Sequence, residues 1–157
     1  MIYCGQTVVT MAETLGMLCD KLTIVKLKEY HTDDPARLKS LGSQALQLQQ
    51  EIDEYIHAAV NGEIPAERLV FASNKVYKKE GNFVPDVTGR IGEVFYHLAD
   101  VNCRLWHEQE KVYEFEKVSV EQKDKVVKQL ALLNLERNKC IDSINQQLSE
   151  LAALHAK

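Results

Sequence analysis

A chain of 157 residues with 45% apolar and 27% charged residues, seven glycines and three prolines is too regular for disorder and too poor in turn residues for a many-stranded sheet. It can bury an ordinary core as one domain spanning 1–157, and an all-α protein is expected. A net charge of -4 argues against a whole-protein footprint for nucleic acid or anionic lipid, and no run of 18 apolar residues or charged leader is found, so the expectation is a cytoplasmic protein with neither a membrane nor a nucleic-acid partner.

Residues 1–9 are short and partly β-branched. Thr10-x-x-Glu13 reads as a capping box that opens a first helix over about 11–31. Met11, Leu15, Leu18, Leu22 and Val25 form one apolar stripe, and Ile24 and Leu27 fall on another side together with Asp20. A helix apolar on two sides is central, and an ionised Asp20 among aliphatic residues needs a partner. Lys21 points about 100° away around the axis and need not be that partner. Asp34-Pro35 is an N-cap with proline at the first helical position, starting a second helix over about 35–60. Leu38, Leu41, Ala45, Leu48, Ile52, Tyr55 and Ala59 make its seam, and Asn61-Gly62 its left-handed stop.

The periodicity then fails over a long loop, 61–87, in which 65–71 suits a short turn of helix and 74–82 is locally basic. Such a loop could fold over an anionic ligand or stay solvated. Asp86 or Thr88 can cap a third helix over about 88–115, with Ile91, Val94, Leu98, Val101, Leu105 and Val112 as its core stripe. Glu93, His97, Asp100, Arg104, His107 and Lys111 share the opposite face, most simply a solvated one laced with i, i+4 pairs. Ser119-x-x-Gln122 reads as a capping box for a fourth helix over about 119–152. Its rows Val127, Asn134, Ile141, Leu148 and Leu130, Arg137, Ile144, Leu151 each contain one polar exception. The fold expected is an antiparallel bundle of four main helices with a long loop between helices 2 and 3. An antiparallel hairpin turning near Lys117 would set Asn102 opposite Asn134 and Arg137 near the level of 98–101.

Asn102, Asn134 and Arg137 at one level must satisfy one another, with Asp20 or Glu108 as counter-charge, or line a pocket. As a pocket, arginine offers a planar fork for phosphate or carboxylate, Trp106 a stacking surface, and asparagine a reader of hydroxyls and ring edges. That combination suits a nucleotide, cyclic nucleotide or nucleotide sugar.

Asn102-x-x-Leu105-Trp106-His107-Glu108-x-Glu110-Lys111, followed by Leu133-Asn134-x-x-Arg137-Asn138-x-x-Ile141-Asp142, resembles the signature of an uncharacterised bacterial all-helical family, a domain of unknown function. Some of its members lie near polysaccharide glycosyltransferase genes. Gly16-x-Leu18-x-Asp20-Lys21-Leu22-Thr23-Ile24 is similar to a box in another uncharacterised group found near sugar-transfer genes. The resemblance implies candidate ligand-binding residues rather than a reaction: Asp20, Lys21, Asn102, Trp106, His107, Glu108, Lys111, Asn134, Arg137 and Asn138. Glu110 departs from it, standing where aspartate is usual.

The leading expectation is thus a protein that binds a phosphorylated small molecule between helices, with or without turnover, under a lid formed by the 63–87 loop. A second is a non-catalytic adaptor or self-associating protein, engaging a protein partner or forming a homo-oligomer through its seams. A third is a Mg-dependent nucleotide pyrophosphohydrolase, for which Glu51-x-x-Glu54 supplies half of a ligand set while His97 stands where the second half needs a carboxylate. Glu54-x-x-His57 is half of a di-iron motif without the rest. No metal site and no cofactor is expected. Cys4, Cys19, Cys103 and Cys140 lack a C-x-x-C pair and read as reduced, packed thiols, although Cys103 and His107 are i, i+4.

Overall fold

Helices account for all the regular structure in the computed structural model, which describes residues 12–72 and 75–156. They are α1 (Leu15–Tyr30), α2 (Pro35–Val60), α3 (Ala66–Leu69), α4 (Ile91–Tyr113) and α5 (Val120–His155), with a 3-10 turn at Phe115–Lys117 between the last two. α1 and α5 touch each other, and each also touches α2 and α4. Val94, Leu98, Val101, Leu133, Cys140, Ile144 and Leu148 supply the most deeply buried side chains of α4 and α5.

The local signals for helix ends held unevenly. α2 opens as read: the Asp34 carboxylate accepts the Arg37 N–H at 2.8 Å, Pro35 follows, and Gly62 at φ +74° turns the chain out. α1 starts at Leu15 with Thr14 before it, four residues later than expected, and Thr10 lies outside the described residues. No side chain of its own N-terminal turn caps it. The Gly16 N–H goes instead to Asn145 Oδ1 on α5 at 2.8 Å, a cap from 129 residues away. Neither Asp86 nor Thr88 caps α4; Gly89, at φ +109°, turns the chain, and Glu93 reaches back to accept the Arg90 N–H at 2.8 Å. Ser119 precedes α5 as read, but its side chain makes no capping bond.

Glycine at position 16 is required by packing. A Cβ there would collide with the Ile141 carbonyl oxygen and lie 2.9 Å from Asn145 Oδ1. α1 therefore rests backbone to backbone on α5, which brings Asp20, one turn further along, within reach of Arg137.

The rows read along α5 hold in its middle, where Ile141, Ile144 and Leu148 are buried, and fail at their ends. Val126 is buried while Val127 and Leu151 are exposed, and Asn145, which no row singled out, is buried. On α2 only Leu41 and Ala59 of the expected seam are buried, and Leu46 is 69% exposed.

Residues 75–90 run along α5. Lys128 Nζ donates to the Gly81 carbonyl at 2.9 Å, Lys139 Nζ to the Val84 carbonyl at 2.8 Å and to Asp86 at 3.1 Å, and Gln147 to the Gly89 carbonyl at 3.1 Å. Val84 is buried beneath this segment. The expected turn at 65–71 is α3.

Candidate functional site

Asp20 is 5% exposed, and three helices meet on its carboxylate. From α5, Arg137 donates through Nε to Oδ1 at 2.8 Å and through Nη2 to Oδ2, a two-point fork. From α4, Asn102 Nδ2 donates to the same Oδ1 at 2.9 Å and to Thr23 Oγ1 at 2.7 Å. Thr23, one turn after Asp20 on α1, donates in turn to the Asp20 carbonyl at 2.8 Å. Hydrogen bonding to Asp20 holds the Arg137 guanidinium above its ordinary range against the opposing effect of burial. The carboxylate is thus the counter-charge that Arg137 was expected to need, and the arginine's inner edge is committed to it.

An open groove of about 480 Å³ lies beside this network. Its wall is Ile24 of α1, Asn102, Leu105, Trp106 and Gln109 of α4, and Leu130, Ala131, Asn134 and Arg137 of α5. The Arg137 side chain keeps 31% of its surface exposed, so its outer N–H groups remain for a ligand. The Trp106 indole donates Nε1–H to Glu110 at 2.9 Å and stacks on His31, with ring centroids 4.6 Å apart and planes 22° from parallel. His31 lies just past the end of α1, its Nδ1 2.8 Å from the Leu27 carbonyl. Glu110, the departure from the motif, therefore orients the indole.

Of the ten candidate residues, Asn102, Trp106, Asn134 and Arg137 share the groove, and Asp20 anchors two of them. Asn102 and Asn134 line one groove, but Asn102's amide goes to α1. Lys21 pairs with Glu13 away from the site. Glu108 pairs with Lys111 at 2.6 Å and so is not the counter-charge to Arg137, and His107 is exposed 3.7 Å from Glu110. Asn138 donates to the Asn134 carbonyl at 2.7 Å, along its own helix. Thr23, His31 and Gln109 were missed. The i, i+3 spacing of Thr23 from Asp20 was a signal for the first; the His31–Trp106 stack depends on how α1 meets α4 and had none.

The charged face of α4 is partly an interface with α5. Glu136 Oε1 lies 2.6 Å from His97 Nε2 and 3.0 Å from Arg104 Nη2, and Arg104 Nε also donates to Asp100 at 2.9 Å. Burial pushes the Glu136 carboxyl up, but the hydrogen bonds from His97 and Arg104 outweigh it and hold the group below the usual carboxylate range.

Lys139, which holds the 84–86 segment, is two residues from Arg137 and so about 200° away around α5. The 84–86 segment accordingly lies on the side of α5 away from the groove, and no described residue of the loop lines the groove as a lid would. Among the described residues no three His, Cys, Asp or Glu side chains come together in a metal-holding group. Glu51 and Glu54, exposed or half-exposed on α2, each accept a bond from a glutamine one turn back. Burial pushes the Cys19 thiol up to about 11 and the Cys140 thiol up to about 12, so both are unreactive as packed, while Cys103 is exposed. No protein-family model, curated protein or solved structure matches the chain.

Proposed function

We propose that the protein is an antiparallel bundle of four main helices that binds a phosphorylated small molecule, a nucleotide, cyclic nucleotide or nucleotide sugar, in the groove between α4 and α5. The observation that carries this reading is the convergence of Trp106, Asn102, Asn134 and the outer edge of Arg137 on one open groove of suitable size. An aromatic ring, two amides and a guanidinium edge are the groups that recognise a planar base or sugar bearing a phosphoryl group. The phosphoryl group meets the outer edge of Arg137 at the groove mouth, since the inner edge is held by Asp20. The family resemblance carried by the Trp106 and Arg137 boxes belongs to the same proposal.

A thermal-shift screen of the purified protein against these compounds tests it. Ligand present at a hundredfold its Kd adds about 2.7 kcal/mol of stability, a shift of several degrees. The shift should vanish in Ala131→Leu, which fills the groove from an exposed helix position without touching the Asp20 network. No selective shift across the panel overturns the reading.

One observation favours the alternative of a self-associating or adaptor protein. A second groove, of about 500 Å³, runs between α1 and α2 and is walled by Leu22, Ala45, Leu46 and Phe95, with Leu46 largely exposed. Association that grows with protein concentration and is lost in Leu46→Glu would support it; a monomer at all concentrations with no captured partner would remove it.

A further inference from the structure

Among the described residues that wall the groove, Arg137 is the one with a charged side chain; the rest of the wall is aliphatic, aromatic or amide. A guanidinium carries five N–H donors, and Asp20 holds two of them, one on Nε and one on Nη2. The three left over, two on Nη1 and one on Nη2, make up the outer edge, and the side chain keeps 31% of its surface exposed. That edge is a two-pronged fork. A phosphodiester has two non-bridging oxygens to set against it.

Asp20 limits the charge that the fork can hold. Its carboxylate is 5% exposed, so water screens it little, and an anion on the outer edge of Arg137 feels the repulsion of Asp20 through the guanidinium. Glu110, on the Trp106 N–H at 2.9 Å, adds a second carboxylate beside the wall. The attraction that remains grows in proportion to the ligand's charge, whereas the cost of drawing an ion out of water grows as its square. Doubling the charge doubles the first and raises the second about fourfold. A site whose wall has one cation, already paired, therefore favours an anion of single charge.

We propose that the groove takes a singly charged phosphodiester, as in a cyclic mononucleotide, in preference to a doubly charged terminal phosphate or a pyrophosphate. This deepens the small-molecule reading and rests on it: the ring lies towards Trp106, and the diester meets the outer fork of Arg137.

The test compares cyclic AMP with AMP, and cyclic UMP with UMP, by titration of the fluorescence of Trp106, the single tryptophan. Each pair shares base, ribose and phosphorus. The diester keeps one charge throughout, whereas the terminal phosphate goes from one charge to two as pH rises through about 6. At about pH 7.5 the cyclic member of the bound pair is expected to bind at least about tenfold more tightly, and at about pH 5 that ratio should shrink towards unity as the terminal phosphate regains its proton. Taking the ratio at each pH cancels changes in the protein that act on both ligands alike. The response should be lost in Ala131→Leu. Equal or tighter binding of the terminal phosphate at the higher pH overturns the inference while leaving the groove as a binding site. A cyclic preference that is undiminished at the lower pH also overturns it, because ring shape rather than charge then discriminates. No response to any of these nucleotides overturns it as well. The wider thermal-shift panel separately decides whether the groove binds anything, so the two failures are distinct.

Discussion

Asp20 accepts hydrogen bonds from α4 and α5 at once, and that changes what substitutions nearby can reveal. Arg137→Leu leaves a carboxylate that is 5% exposed without its cation, and an uncompensated buried charge costs about 3–5 kcal/mol. Urea unfolding should show a loss of that size before any ligand is added; a loss below about 1 kcal/mol would mean that solvent reaches Asp20. The substitution therefore reports on folding as well as binding, which is why the groove is tested through Ala131. Gly16→Ala is expected to destabilise by about 1–3 kcal/mol, because the new methyl meets the Ile141 backbone rather than a side chain that could move aside. Wild-type stability in that variant would show that α1 can slide on α5. The buried partner that Asp20 required was legible in the sequence, since an acid among aliphatic residues needs one. Asp20 and Glu108 were both readable as the counter-charge to Arg137, and the choice between them was not legible, because it depends on how the helices meet.

At the scale of elements, α2 was read almost to the residue because its start and stop are local: an aspartate before proline and an asparagine before glycine. α1 and α4 began later than their sequence signals implied. Their ends are set by Asn145 of another helix and by an Arg90–Glu93 pairing that residue preferences do not favour. The 75–90 segment was ambiguous between a lid and a solvated loop; it is largely exposed, as the second reading had it, but it is also tethered. Lysines of α5 bind its backbone carbonyls, so its order depends on them. Lys139→Met keeps the aliphatic stem but removes the bonds to Val84 and Asp86. Limited proteolysis should then cut this segment several-fold faster, while the helices' far-UV signal and thermal midpoint change little. Unchanged cleavage would assign the order of the segment to buried Val84 alone.

For the whole molecule, the α4–α5 contact brings a pH dependence. Glu136 is held below its ordinary range by His97 and Arg104, so its folded-state affinity for protons is lower than in the unfolded chain. The resulting stability is present above the unfolded carboxylate pKa and is lost as pH falls below it and through the lower folded one. Wild type should lose more stability than Glu136→Gln across that interval in urea titrations at fixed pH, and parallel curves would refute the assignment. Among the described residues no helix is long and apolar enough to cross a membrane, in line with the absence of a long apolar run.

Helical content, the core stripe of α4 and the candidate residues Asn102, Trp106, Asn134 and Arg137 were determined by the sequence itself, because periodicity and polar exceptions within apolar rows are local properties of the chain. Only the tertiary structure decided that Asp20 takes the inner edge of Arg137, that Asn145 caps α1, that His31 covers the Trp106 ring, and that the 84–86 segment lies away from the groove. Each of these joins residues far apart in the chain. Their pairing depends on the angle and height at which helices cross, and a sequence states those only through the packing it produces.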